Sequence, residues 1–198
     1  MSHSAHTTSP CRRPHLLVVA APLVAGALAL ASCGDDPFKV RWSESPDTVL
    51  LYSLARPELN LLSGFSLLNR TPVRIEAPGA TGTWDFALDT RNGGLALLPP
   101  GVFGIESKAR IVALSGTSFA EVIEAPRDTL LYTAAEPVPV ALGTVYVVRT
   151  NQYIGSFGTR CVNYGKLEPL ELDVGLGTLR FVYDSSPVCN DRKLIPPD

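Results

Sequence analysis

Thr178-Leu179-Arg180-Phe181-Val182-Tyr183-Asp184 is a strand-length run of β-branched and aromatic residues near the end of the chain. Two runs of the same kind precede it, Thr144 to Thr150 and Lys166 to Asp173. Such residues suit a pleated, half-buried surface, so three successive runs predict an antiparallel meander. Val174-Gly175-Leu176-Gly177 between the last two is short enough for a hairpin, whereas the connection over 151–165 is longer and holds Cys161. Pro169 has no N–H to give a ladder, which predicts an edge position or a bulge there.

More short strands are expected upstream. Thr48 to Leu54 is rich in aliphatic residues and ends at Arg56-Pro57. Phe65 to Leu68 and Val73 to Glu76 flank the turn composition Asn69-Arg70-Thr71-Pro72. In Trp84-Asp85-Phe86-Ala87-Leu88-Asp89 the period of two puts Trp84, Phe86 and Leu88 together in a core and leaves Asp85 and Asp89 on a solvated polar face. Asn92-Gly93-Gly94 is a turn, Leu95 to Leu98 returns from it, and Ala109 to Leu114 is another strand. Ser118-Phe119-Ala120-Glu121 has the form of a capping box, and Phe119, Val122 and Ile123 fall at i, i+3 and i+4. One short helix over about 118–124 is expected, stopped by Pro126. The region 136–142 is punctuated by prolines. With 17 Pro and 16 Gly scattered along 198 residues, the expected fold class is all-β: antiparallel sheets of short strands, one short helix, a single domain over 48–198.

The N-terminus carries a different signal. Arg12 and Arg13 precede an uncharged apolar run from Leu16 to Leu30. At about 15 residues that run is short for a transmembrane helix and right for a secretory signal. Leu30-Ala31-Ser32-Cys33 then reads as a lipobox. The expectation is a signal peptide over 1–32, a lipidated Cys33, and a tether over 33–47 in which Phe38, Val40 and Trp42 alternate and could start a strand. Two or three acyl chains hold a protein stably where one does not. Gly34 rather than Asp after Cys33 favours an outer-membrane or surface location in a bacterial cell envelope.

Without residues 1–32 the chain keeps 15 basic and 19 acidic side chains, a formal charge of about −4. That argues against nucleic acid as a partner, whose binding rests on clustered Lys and Arg. His3, His6, His15 and Met1 all fall in the signal. Of four cysteines, Cys11 is removed and Cys33 acylated, leaving Cys161 and Cys189. In an oxidising compartment these two are expected to pair; the rival readings are a metal pair or a reactive thiol.

Several motifs in order resemble the HmuY-like lipoproteins: Trp84-Asp85-Phe86-Ala87, Asn92-Gly93-Gly94, Phe119-Ala120-Glu121-Val122 leading to Ala125-Pro126, Tyr146-Val147-Val148-Arg149-Thr150, Tyr164-Gly165-Lys166-Leu167 and Leu179-Arg180-Phe181-Val182-Tyr183. They span residues 84–184. The resemblance implies an all-β fold on a lipid-anchored, exported protein. Type members of that family bind haem through two axial side chains, usually histidines. This chain departs from them, because after the signal it has no His and no Met. Haem is therefore not expected as a cofactor, and only a tyrosine ligand, with Tyr132 and Tyr153 in loops, stays formally open.

Gly116-Thr117-Ser118-Phe119-Ala120 approaches a nucleophile elbow but lacks its last Gly, and no His remains as base. Asp89-Thr90-Arg91 lacks the Gly of an aspartic-protease motif. Asp85 and Asp89 are four residues apart, roughly 13 Å at strand rise, too far for a glycosidase pair. Asp89 and Asn92 beside Gly93 fit no EF-hand spacing, so turn chemistry is preferred to calcium, and no metal site is expected. No catalytic residues are assigned. The expected function is a non-enzymatic, lipid-anchored β domain that binds a ligand or partner outside the cytoplasm. The alternative is a structural or protein-interaction envelope lipoprotein with no small ligand.

Overall fold

The computed structural model describes residues 40–197. The expected signal peptide and Cys33 lie outside them. Twelve strands form two five-stranded antiparallel sheets and one ribbon. The first sheet takes β1 (Asp47–Tyr52), β6 (Arg110–Ser115), β8 (Thr144–Arg149), β11 (Tyr164–Asp173) and β12 (Thr178–Ser185), in the order β1-β12-β11-β8-β6. The second takes β2 (Gly64–Ser66), β3 (Thr71–Val73), β4 (Phe86–Arg91), β5 (Gly94–Leu98) and β7 (Val138–Pro139), in the order β3-β2-β4-β5-β7. The ribbon is β9 (Tyr153–Ile154) with β10 (Arg160–Cys161).

The predicted meander is β8-β11-β12. Its bulge lies between Pro169 and Glu171, and β8 pairs with β11 only up to Leu167, so Pro169 interrupts no ladder bond to that neighbour. The β4–β5 hairpin closes through Asn92 and Gly93, with φ of 53° and 80°; two positive φ values make a type I′ turn, which matches the twist of the flanking strands. Prolines mark both edges of the second sheet, Pro72 in β3 and Pro139 in β7. A proline at an edge offers no N–H to a foreign strand.

The sheets pack face to face. Phe65, Phe86, Leu88, Leu95 and Leu97 of the second meet Leu51, Ile111, Tyr146, Val148, Leu167, Leu179, Phe181 and Tyr183 of the first, and all are buried. Phe65 is the hub: its ring centroid lies 5.8 Å from Phe86, 5.5 Å from Phe181 and 4.7 Å from Tyr183. The outer face of the first sheet is covered too. Val112, Val145 and Val147 point away from the sandwich into a second cluster with Val122, Ala125 and Leu194. That cover is sewn by backbone bonds, Ala125 N–H to Arg192 O at 2.8 Å and Leu194 N–H to Ile123 O at 2.8 Å. Burial on both faces explains why β8 is apolar along almost its whole length.

The helix expected over 118–124 is absent. The capping signal is real: the Glu121 carboxylate accepts from Ser118 N–H and from its hydroxyl, each at 2.8 Å. It caps a single turn, because the carbonyls a helix would use are taken elsewhere. Lys166, buried on β11, donates from Nζ to Phe119 O at 2.8 Å and Val122 O at 3.0 Å, with the Phe119 ring 4.5 Å from the ammonium. Ile123 O is spent on Leu194. Other boundaries differ too. The strand expected over Val73 to Glu76 is β3, two residues earlier, and Val40 and Trp42 run as irregular chain before β1.

Cys161 and Cys189 form the expected disulfide, with Cα atoms 5.1 Å apart. It joins the ribbon to the C-terminal tail. Replacing both cysteines by serine should lower unfolding stability by about 3 kcal/mol, since the closed loop restricts the unfolded chain. Urea midpoints of the oxidised protein and the double variant check this, and equal midpoints would refute it.

Candidate functional site

A concavity lies where the chain enters the domain, at the end of β12. Its floor is an ion pair. Arg70 sits in the β2–β3 turn with φ of 53°, a left-handed conformation unusual for a long side chain. From there the guanidinium lies over the Tyr183 ring at 4.9 Å and donates to Asp184 Oδ1 at 2.9 Å, to Ser185 Oγ at 3.2 Å and to the Ser45 carbonyl. Asp184 accepts in turn from Ser45 N–H at 3.0 Å and Ser185 N–H at 2.8 Å. The entering chain is thus fastened to both sheets by one Arg–Asp pair.

Above this floor opens a cleft of about 360 Å³. Trp42, Leu67 and Leu68 give it an apolar side; Tyr153, Asn163, Ser185 and Ser186 give it a polar one. Tyr153 donates its hydroxyl to Asn163 Oδ1 at 2.7 Å, and Asn163 Nδ2 donates to Ser186 O at 2.7 Å. Trp42 also borders a neighbouring groove of about 320 Å³ with Val188, Asp191, Lys193 and Ile195. A volume of a few hundred Å³ with one aromatic wall and a few fixed polar groups is the usual form of a small-molecule site. Arg70 and Asp184 neutralise each other, so the cleft offers no free charge of its own; hydroxyls, amides and an indole face are what a ligand would meet.

Asp85 lies behind the cleft and overturns one expectation. It is not on a solvated face but 3 % exposed, and Asp89 is 7 % exposed. The β2–β3 turn and the chain after β8 cover the side of Asp85 that the period of two assigned to water. Its carboxylate accepts from Leu67 N–H at 2.8 Å and Asn151 N–H at 2.7 Å, with the Leu68 amide also against it. Burial pushes the carboxyl up to about 6, against the pull of these amides. Asp89 is tied to Ser53 Oγ at 3.3 Å and to Arg91 at 2.7 Å. Trp84 is buried as expected, but apart from Phe86 and Leu88, stacked edge-on to Phe103 at 5.7 Å.

The other residues singled out are scattered. Tyr132 packs on the outer cluster, donates its hydroxyl to Pro126 O at 3.1 Å, and has its phenol pushed up by burial. Tyr153 is in the cleft, so the two tyrosines have different surroundings. Ser118 is held by Glu121, and Asn92 belongs to the hairpin turn. Among the described residues no three His, Cys, Asp or Glu side chains converge as a metal site would need. Trp42, Arg70, Asn163 and Asp184, which make the cleft, carried no sequence signal of a site: Trp42 and Asp184 read as strand residues and Arg70 as part of a turn.

Compared with known protein families, with curated proteins and with solved structures, the chain matches none.

Proposed function

We propose that this chain is an exported, lipid-anchored, non-enzymatic binding protein that takes a small ligand in the cleft between Trp42 and Tyr153. The lipobox ending at Cys33 supports export and anchoring. The ordered motifs that resemble the HmuY-like lipoproteins support the same placement, without that family's haem ligands. The observation that carries ligand binding is the cleft itself, walled by an indole and floored by an internally neutralised Arg70–Asp184 pair. That lining suits a neutral, polar ligand with one flat apolar face, since a charged ligand would find no uncompensated partner.

Trp42 makes the reading testable. Only two tryptophans are present, and Trp84 is buried away from the cleft. Titrating the full chain in detergent with haemin, then with neutral saccharides and aromatic amino acids, should give a saturable change in indole emission for a member of the neutral classes. The change should vanish in Trp42→Phe, and haemin should give no saturable Soret shift. A flat response across the panel would remove the small-ligand reading. The alternative, an interaction lipoprotein without a small ligand, is favoured by one observation, a fully exposed phenylalanine on the ribbon beside the cleft.

A further inference from the structure

The ribbon between β8 and β11 ends in a feature that the cleft does not use. Ile154 pairs with Arg160 and Tyr153 with Cys161, and the tip is Gly155-Ser156-Phe157-Gly158-Thr159. Phe157 is 106 % exposed and Ile154 67 % exposed. Phe157 has φ of 56°, a strained setting for an aromatic residue, and it turns the ring out of the domain. The base is held along the β10 strand. Cys161 is bonded to Cys189, Asn190 donates to Arg160 O at 3.0 Å, and Val162 N–H donates to Asn190 Oδ1 at 3.0 Å. A Cβ on Gly155 would come within 2.5 Å of Cys161 Sγ, so the strand turns there only because no side chain is present. The bare aromatic tip of this finger has no cover among the described residues.

We propose that this finger inserts Phe157 and Ile154 into the headgroup region of the bilayer that holds the lipid, as a second membrane contact. The inference rests on the proposed acylation of Cys33. Three observations select a bilayer as occupant. Eleven residues separate Cys33 from Ser45, which is fastened to Asp184; whatever path they take, the twelve steps reach at most about 40 Å. Tyr153 at the foot of the finger lines the same cleft as Trp42 and Ser45, so finger and leash leave the domain at one end. Finally, residues 137–167 contain no acidic side chain in an otherwise acidic protein, and Arg160 stands in the finger opposite Ile154, which suits anionic headgroups. A short leash keeps the local lipid concentration high, so two apolar side chains suffice where they would be weak alone.

The test uses the full chain, lipidated, reconstituted in phosphatidylethanolamine–phosphatidylglycerol vesicles with nitroxide-labelled lipids. A reporter Phe157→Trp is compared with Leu176→Trp, whose site lies in the β11–β12 hairpin at the opposite end of the first sheet, and Trp42 and Trp84 are replaced by Phe in both. Both variants should float with the vesicles. Emission of Phe157→Trp should shift to the blue and be quenched by labelled lipid at least about twofold more than that of Leu176→Trp. Flotation with equal quenching at both sites would overturn the finger's role and leave the anchor standing. Failure to float would overturn the anchoring and the inference with it. A blue shift in detergent that grows with protein concentration would assign the finger to a second copy of the chain and also overturn it.

Discussion

Asp85→Ala should destabilise the domain by about 4 kcal/mol at pH 4.5, because one buried and two more exposed backbone amides lose the carboxyl they bond, at roughly 1–3 kcal/mol each. The amides are those of Leu67, Leu68 and Asn151, and they hold the β2–β3 turn and the chain after β8 against the start of β4. The loss should depend on pH in a set direction. The folded carboxyl titrates at about 6, above the usual carboxylate value. A raised folded value means stability that is present below about 4 and lost as pH climbs through 6. The wild type therefore weakens between these limits while Asp85→Ala does not, and the difference between them should shrink by roughly 2 kcal/mol by pH 8. Urea unfolding of both proteins at pH 4.5 and pH 8 checks the size and the sign. A gap that widens with pH would mean that the amides, not burial, control the carboxyl.

Phe65→Ala should cost as much or more, about 4 kcal/mol and nearly independent of pH. Phe65 is fully buried and touches Phe86 within its own sheet and Phe181 and Tyr183 across the interface. Truncation leaves a cavity between two sheets that rigid strands cannot close, and removes three ring contacts worth about 0.5–1.5 kcal/mol each. Against a typical total of about 5–15 kcal/mol, the variant should sit near its unfolding midpoint at physiological temperature. Thermal scans by near-ultraviolet circular dichroism would show this; a midpoint shift under a few degrees would mean that the sheets repack.

What the sequence revealed follows from how local each signal is. The meander, the Asn92-Gly93 turn and the bulge at Pro169 depend on neighbouring residues, and all three could be read. The paired cysteines could be read by counting. The short helix could not be excluded, because its rival is Lys166, more than forty residues away and bound to the same carbonyls. Asp85 and Asp89 fall on the face that a period of two assigns to solvent, but whether that face meets water is decided by segments far along the chain. The cleft is the extreme case. Arg70 and Asp184 are separated by 114 positions, and each alone is an ordinary turn or strand-end residue. β7 is two residues long and leaves no periodicity to find.

The order β1-β12-β11-β8-β6 puts the first strand of the domain beside the last, with Asp47 opposite Tyr183. A chain made or delivered from its N-terminus holds β1 without its partner until nearly the whole domain has followed. At synthesis rates of about 5–20 residues per second, that interval is on the order of ten seconds. During it the first sheet cannot close, Phe65 lacks Phe181 and Tyr183 across the interface, and the tail that bears Cys189 has not arrived. Such a chain stays open for as long as its end has not arrived, and becomes a folded body only once β12 can pair with β1.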